Sequence, residues 1–376
     1  MIYLDNSATT KVDKDVMDTF VLANENFWGN ESSLHNFGAL AEQVLLKCNR
    51  QILDLLAASD HKVIFTGGAT ESNNLAIKGL AANNPGGHII TTKIEHPSIY
   101  EVCKELKESG FTISYIDVSK SHEEQVEQLK QLVRKDTFLV SCMHVNSEIG
   151  LTLPIKEFGD FLEKHPKIKF HVDAVQSIGK IPVNIEEFKI DILSASAHKI
   201  HGIKGIGCLI VRNGVNISAQ ISGGGQMAGI RSGTVNVAGA ASFAKALRLV
   251  IESQTESLKE MYSIYEYVTS NLARIEGVRV NNRFAVHSPY IVNFWVEGVR
   301  GETMVHALAD YEIYISAKSA CSSKTKKASH VLTALGFDET AATESLRASF
   351  THTTTMEEVK QFLDVLAIEV KKLRSI

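Results

Sequence analysis

Residues 190–199 read IDILSASAHK, an apolar, strand-like run that leads through small residues to a lysine, Lys199. The small side chains at 194–197 leave space beside the backbone for a bulky group. A lysine at the end of such a run is either a solvated surface charge or a reactive amine. Two motifs upstream decide between these interpretations.

Both upstream motifs also follow strand-like runs. Residues 169–177 read KFHVDAVQS and place Asp173 at a strand end, where a carboxylate can pair with a protonated ring nitrogen. Residues 63–74 read VIFTGGATESNN, a strand, a glycine turn and a helix start, whose backbone amides beside Thr70 predict a phosphate site. An amine, a carboxylate and a phosphate site at strand ends are what pyridoxal 5'-phosphate (PLP) requires.

Strand-like and helical patterns alternate from residue 63 to residue 212. The strand candidates are 63–66, 88–92, 112–117, 137–145, 168–173, 191–196 and 207–212. The helix candidates between them include 71–82, 97–109 and 155–164. This alternation predicts an α/β fold with a mostly parallel central sheet wrapped by helices, in which ligands bind outside the carboxyl ends of the strands.

The remaining sequence predicts a second, smaller domain. A long helical pattern at 238–271 leads out of the sheet region, and strands then mix with helices. Thr355 and Glu358 form a capping-box pattern that predicts a final helix from Met356. We expect an N-terminal arm (1–14) that packs with the small domain, a large domain (15–250) and a small α+β domain (251–376).

The composition is that of an ordinary soluble, globular protein. The chain has 376 residues, of which 44% are hydrophobic and 22% charged, with a formal net charge of −4. This charge gives no reason to expect direct binding of nucleic acid or anionic lipid. No run of about 18 apolar residues occurs, and the first residues lack a basic segment followed by an apolar one. We therefore expect a cytoplasmic protein that does not associate with membranes.

The five cysteines differ in their surroundings. No CxxC pair occurs, which argues against a disulfide framework and a structural zinc site, so we expect no metal. Cys142 and Cys208 lie in apolar, strand-like runs, where cysteine packs as a small hydrophobic residue. Cys321 lies outside any apolar run, and the four lysines near it are either merely solvated or favour its thiolate.

The chain resembles the cysteine desulfurases of the NifS/IscS type over nearly its whole length. These are class V aminotransferases within fold type I of the PLP enzymes. The motifs that carry the resemblance are YLDNSATT (3–10), GATESNN (68–74), EH (95–96), HVNSEIG (144–150), HVDA (171–174), HK (198–199), RSGT (231–234) and SAC (319–321). The resemblance implies that L-cysteine is converted to L-alanine and that the sulfur passes as a persulfide on Cys321 to an acceptor protein.

The resemblance also assigns cofactor-binding roles. Lys199 is expected to bond PLP and to remove a proton, with His96 stacking on the ring and assisting the proton transfer. The remaining cofactor residues are expected to be Ala69, Thr70, Asn146, Asp173, Gln176, Ser196, His198 and Thr234. Thr234 is expected to reach the phosphate of a neighbouring subunit, which implies a homodimer.

The substrate residues implied by the resemblance are Asn30, Asn146 and Arg347. Arg347 is expected to clamp the substrate carboxylate with its guanidinium fork. Without the resemblance, Asn30 indicates only a turn, Arg347 a surface salt bridge and His96 a structural histidine.

Several departures from the family pattern keep alternatives open. The usual SGATE is GGATE here, and Ser147 and Ile203 replace the usual Asn and Pro. The chain ends at Ile376, whereas IscS-type members continue with a tail that helps dock the iron–sulfur scaffold, so a tRNA-thiolating enzyme is an alternative acceptor. Other class V activities, such as selenocysteine lyase, aminotransferase or kynureninase-like hydrolase, are alternatives, although Cys321 and the long loop after it argue against most of them. A non-enzymatic relict would lack Lys199, Asp173 or Cys321, and all three are present.

Overall fold

The structure is a computed structural model that describes residues 1–281, 286–317 and 329–375. In chain order, its strands are β1 (Ile2–Tyr3), β2 (His61–Thr66), β3 (His88–Thr92), β4 (Thr112–Ile116), β5 (Thr137–Met143), β6 (Lys169–Asp173), β7 (Ile192–Ser196), β8 (Gly207–Arg212), β9 (Val278–Val280), β10 (Ile291–Val296), β11 (Ile313–Tyr314) and β12 (Ser345–Ser349). Each of the seven strands predicted between residues 63 and 212 is present within about two residues of its predicted bounds.

The α-helices are also numbered in chain order. They are α1 (Lys14–Asn26), α2 (Asn36–Leu55), α3 (Ala69–Ala81), α4 (Pro97–Glu108), α5 (His122–Leu132), α6 (Ile155–Leu162), α7 (Val237–Glu252), α8 (Gln254–Leu272), α9 (Gly301–Ala309), α10 (His330–Ala334), α11 (Glu339–Glu344) and α12 (Met356–Arg374). The single helical run predicted at 238–271 is wrong, because α7 ends at Glu252 and α8 begins at Gln254, with Ser253 between them. The predicted capping box at the start of α12 is confirmed, with both of its reciprocal hydrogen bonds present.

The described part of the chain divides into two units. The larger unit comprises Thr10–His144 and Leu153–Ser253, and the smaller comprises Met1–Thr9, Val145–Thr152 and Gln254–Ile376. The predicted division into residues 1–14, 15–250 and 251–376 stays a prediction.

The larger unit is built on a seven-stranded sheet, counted over the described residues, with the order β2-β8-β7-β6-β5-β3-β4. In this sheet β8 runs opposite to the other six strands. Every residue of β5 is buried, as expected for a central strand covered on both faces. Because β2, β3, β6 and β7 point the same way, their carboxyl ends lie along one edge of the sheet.

The smaller unit contains an antiparallel sheet, β12-β10-β9, and a short parallel pair, β1-β11. Val145–Thr152 joins this unit through long-range hydrogen bonds, for example from Nδ2 of Asn293 on β10 to the carbonyl oxygen of Glu148 (3.1 Å). The predicted α/β class with a mostly parallel sheet and an additional α+β part is confirmed. Over the described residues, the helices all lack the combination of length and hydropathy needed to span a bilayer.

Candidate active site

The turn between β2 and α3 forms an open helix N-terminus. Gly68 precedes the first residue of α3, and none of the described side chains caps this position. A Cβ on Gly68 would lie 3.7 Å from Oγ of Ser196, so Ser196 at the end of β7 borders the same turn. Free amides at a helix N-terminus with a nearby hydroxyl suit a phosphate group. The structure thus brings Ala69 and Thr70, the first residues of α3, to the strand end that carries Ser196.

The close approach of β8 to this turn requires a glycine. A Cβ on Gly207, the first residue of β8, would lie 2.6 Å from the carbonyl oxygen of Ala195 and 2.8 Å from Cα of Gly68. Both contacts involve backbone atoms, so a larger residue would displace the turn.

Asp173 ends β6 at the same sheet edge and is 7% exposed. Its Oδ1 accepts a hydrogen bond from the backbone N–H of Val175 (3.0 Å), and its Oδ2 accepts one from Nδ2 of Asn73 (2.9 Å). Two donors stabilise the ionised form of a buried carboxylate. The side chain is therefore suited to pair with a cationic ring nitrogen.

His96 precedes α4, four residues beyond the end of β3. Its Nδ1 accepts a hydrogen bond from the backbone N–H of Ser98 (3.2 Å) and lies 2.8 Å from Oγ of the same residue. Asn73 also donates to this Oγ (2.9 Å), so Asn73 and Ser98 connect His96 with Asp173. Asn73 and Ser98 are not among the site residues that the sequence predicts. The one signal available was a polar side chain on a face of α3 that is otherwise apolar.

Gln176 and Lys180 form a buried pair in the turn after β6. Nζ of Lys180 donates to Oε1 of Gln176 at 2.7 Å. Because an ammonium group can only donate, the Gln176 carbonyl must face Lys180, and its NH2 group is presented on the other side of the amide. That orientation suits a hydrogen bond from Gln176 to the ring oxygen of PLP, the role that the family resemblance implies for this residue.

His198 and Lys199 lie in a short 3-10 turn directly after β7, and both are half-buried. Burial and the nearby charges of Lys199, Lys204 and Lys180 lower the pKa of His198 to about 4, so its imidazole is neutral near pH 7. Thr10 fixes the turn, since its backbone N–H (2.9 Å) and its Oγ1 (3.0 Å) both donate to the carbonyl oxygen of His198. A neutral donor among ammonium groups suits an anionic ligand.

The other two predicted residues of the larger unit, Asn30 and Thr234, are exposed. Oδ1 of Asn30 accepts a hydrogen bond from the backbone N–H of Ser32 (2.9 Å), the local turn that the sequence indicates.

The smaller unit holds the other two predicted substrate residues. Arg347 on β12 is 2% exposed, so its interpretation as a surface salt bridge is wrong. Its Nη2 donates to Oδ1 of Asp5 (2.7 Å) and to Oγ of Ser316 (2.7 Å), and its Nη1 donates to the carbonyl oxygen of Ser147 (2.8 Å). Asn146 is also buried, and its Oδ1 accepts hydrogen bonds from two backbone amides of the following turn.

Cys321, the predicted nucleophile, lies outside the described residues. The cysteines inside them are Cys48, Cys103, Cys142 and Cys208, all buried. Burial raises the pKa of each thiol, to about 11 for Cys48 and about 12 for Cys103. None of these four is suited to act as a thiolate, and the predicted packing role of Cys142 and Cys208 is confirmed. In the described ranges, no cluster of His, Cys, Asp or Glu side chains could hold a metal ion.

The comparisons with known proteins agree with this geometry. The model of the aminotransferase class-V family matches residues 2–362. A NifS/IcsS protein homolog from Lactobacillus delbrueckii subsp. bulgaricus is 42% identical over 367 residues, which cover 96% of this chain and 95% of the relative. The chain belongs to the class V aminotransferases, within the NifS/IscS group. The cysteine desulfurase IscS of Dictyoglomus turgidum is 38% identical over 378 residues, covering 100% of this chain and 96% of that protein.

Solved structures extend the similarity to the fold of the class V enzymes. A NifS-like protein superposes with a TM-score of 0.90 at 34% identity, covering 99% of this chain and 100% of the other. SspA in complex with cysteine superposes with a TM-score of 0.79 at 30% identity, covering 94% and 100% of the two chains. The predicted membership of PLP fold type I is thereby confirmed.

Proposed function

We propose that this chain is a cysteine desulfurase that uses PLP to convert L-cysteine to L-alanine and transfers the sulfur through Cys321 to an acceptor protein. The observation that carries the proposal is the sheet edge where Lys199, Asp173 and the open N-terminus of α3 follow strands of one sheet. The full-length similarity to IscS and to SspA in complex with cysteine supports L-cysteine as the substrate.

The residues at the sheet edge fit PLP. The amides of Ala69 and Thr70, with the side chains of Ser196 and His198, would hold the phosphate. Asp173 would face the ring nitrogen, Gln176 and Asn146 the ring oxygen, and His96 the ring plane. Lys199 would bond the carbonyl carbon. When bound in this way, PLP supplies an electron sink that stabilises negative charge on the substrate Cα.

The chain's own groups would position the substrate and move its protons. Arg347 and Asn30 would hold the carboxylate of L-cysteine. A guanidinium suits this role because two of its N–H donors match the two carboxylate oxygens. Lys199, as a neutral amine, would remove the Cα proton. His96 would assist this transfer.

Cys321 would take the sulfur. Its thiolate attacks the sulfur of the bound cysteine, the new S–S bond forms as the Cβ–S bond breaks, and the electron pair of that bond stays with carbon. Carbon gains protons and leaves as L-alanine, so that L-cysteine and a thiol become L-alanine and a persulfide. The burial of the four described cysteines supports Cys321 as the nucleophile.

The acceptor would be an iron–sulfur scaffold or a tRNA-thiolating enzyme, and the enzyme would act as a homodimer. Thr234 is exposed within one chain, which supports its predicted role at the phosphate of a second subunit. Light scattering on the purified protein tests the dimer.

The experiment that tests the function measures L-alanine released from L-cysteine with a thiol reductant. The native protein is compared with Cys321→Ala, with Lys199→Ala and with Cys48→Ala as the matched cysteine control. We expect alanine from the native protein and from Cys48→Ala only, and loss of the visible absorbance of bound PLP only in Lys199→Ala. A native protein that binds PLP but releases no alanine would refute the function.

A further inference from the structure

Two buried polar side chains connect Asp173 with His96. Asn73 on α3 is completely buried, and Ser98 on α4 is 7% exposed. One NH2 group, Nδ2 of Asn73, donates both to Oδ2 of Asp173 (2.9 Å) and to Oγ of Ser98 (2.9 Å). Ser98 in turn contacts Nδ1 of His96 through its hydroxyl (2.8 Å) and its backbone N–H (3.2 Å). The four residues form one continuous chain of hydrogen bonds.

Asp173 fixes the direction of the first bond. An ionised carboxylate only accepts hydrogen bonds, so the NH2 group of Asn73 must face it. The reverse orientation would place Oδ1 of Asn73 against a carboxylate oxygen. In the observed orientation this Oδ1 is buried and has no hydrogen-bond partner among the described residues. A buried acceptor without a donor is unfavourable, and the two donated bonds are what this orientation gains.

The two hydrogen bonds from Ser98 determine which ring nitrogen of His96 carries the proton. The backbone N–H of Ser98 can only donate, so Nδ1 of His96 is an acceptor and carries no proton. Because Asn73 donates to Oγ of Ser98, the hydroxyl hydrogen is free to point at the same Nδ1. The neutral imidazole then holds its proton on Nε2.

We propose that Asn73 and Ser98 are positioning residues that hold His96 in the Nε2–H tautomer. Ser98 does so through its backbone N–H and its hydroxyl, and Asn73, oriented by the Asp173 carboxylate, directs that hydroxyl to Nδ1. The inference rests on the proposed function, in which Asp173 meets the ring nitrogen of PLP and His96 assists proton transfer beside the ring. A fixed tautomer presents an N–H donor on one defined nitrogen, so His96 enters each turnover with the same proton arrangement. Neither residue touches substrate or cofactor in this scheme.

The tautomer can be measured by NMR of the full-length, PLP-loaded protein labelled with 15N-histidine. The chain has 14 histidines, and the His96 signals are assigned by their loss in His96→Gln. We expect an unprotonated, hydrogen-bonded Nδ1 and a protonated Nε2. In Ser98→Ala, which keeps the backbone N–H but loses the hydroxyl, the Nδ1 signal should move toward the value of a nitrogen without a hydrogen bond. Asn73→Leu should shift it in the same direction by less.

Ser109→Ala, at the other end of the same helix, is the matched control and should leave the His96 signals unchanged. A proton on Nδ1 in the native protein would overturn the inference, and so would native signals in Ser98→Ala. Should Asn73→Leu not fold, as judged by its thermal unfolding, Ser98→Ala decides alone.

Kinetics separate the inference from the proposed function. Ser98→Ala should lower kcat for alanine formation about threefold to tenfold, the effect of one hydrogen bond, while KM for L-cysteine stays constant. The NMR result needs no turnover. A native protein with the Nε2–H tautomer but no alanine formation would refute the function and keep the tautomer assignment. Normal alanine formation with a proton on Nδ1 would do the opposite.

Discussion

Oδ1 of Asp5 lies 2.7 Å from Nη2 of Arg347 and compensates the positive charge of an almost fully buried guanidinium. Ser316 takes the second hydrogen of the same Nη2, and the carbonyl oxygen of Ser147 binds Nη1. Nε of Arg347 is buried without a partner among the described residues. The smaller unit thus fixes one side of the guanidinium, while some of its N–H groups remain without an acceptor among the described residues. This arrangement suits the binding of a carboxylate.

Asp5→Asn should destabilise the smaller unit by about 1–3 kcal/mol, because it removes the charge partner of a buried arginine. The chain has two tryptophans, and Trp295 lies in the smaller unit, so urea unfolding in a Trp28→Phe background reports on this unit alone. Asp18→Asn on the exposed side of α1 serves as the control. Equal unfolding midpoints for Asp5→Asn and the control would contradict the role of the pair.

Arg347→Lys should raise KM for L-cysteine by about tenfold to a hundredfold with a smaller change in kcat. A lysine keeps the charge but cannot match two carboxylate oxygens with two parallel donors. Steady-state kinetics of alanine formation measure both constants. An unchanged KM would exclude Arg347 from carboxylate binding.

Gly207→Ala should weaken PLP binding by roughly tenfold, since its Cβ would meet backbone atoms of Ala195 and Gly68 and shift the turn before α3. The dissociation constant is measured by titrating the apoprotein with PLP and following its absorbance. Gly214→Ala is the control, because its φ of +84° makes any side chain unfavourable while no atom lies within 4 Å of the added Cβ. A loss of PLP affinity in both variants would point to general destabilisation instead.

Local patterns predicted the strands, the glycine turn before α3 and the positions of Lys199 and Asp173, because each depends on residues adjacent in sequence. The grouping of Val145–Thr152 with the C-terminal part of the chain depends on contacts such as those of Ser147 with Arg347, which join residues 200 positions apart. The break between α7 and α8 at Ser253 was missed because both helices continue the same apolar periodicity. Asn73 and Ser98 were missed because a short polar side chain in a helix gives no sign of its partners.

Lys180→Met should weaken PLP binding by about threefold to tenfold, because the Gln176 carbonyl loses its fixed donor and the amide can turn over. Lys180→Arg keeps a cationic donor and should retain more of the affinity. PLP titration of both apoproteins gives the comparison. If Lys180→Met binds PLP as tightly as the native protein, Gln176 does not need this partner.

Glu95 should make the larger unit less stable as the pH rises. Complete burial raises the pKa of this carboxyl from its ordinary 4.5 to about 8, although Thr92 and the backbone N–H of Met143 both donate to it. Between these two values the folded chain holds a proton that the unfolded chain has lost. Stability therefore falls by up to about 1.4 kcal/mol per pH unit through this window and levels off above about pH 8.

Glu95→Gln tests this dependence, because an amide reproduces the protonated carboxyl. Its Nε2 can donate to Oγ1 of Thr92, and its Oε1 can accept from the N–H of Met143. We expect the variant to match the native protein near pH 5 and to exceed its stability increasingly toward pH 8. Urea unfolding followed through Trp28 in a Trp295→Phe background measures the larger unit, and Glu108→Gln on the exposed face of α4 is the control. The stability difference between Glu95→Gln and the native protein could instead stay constant with pH. That result would show that Glu95 is ionised in the folded chain throughout this pH range.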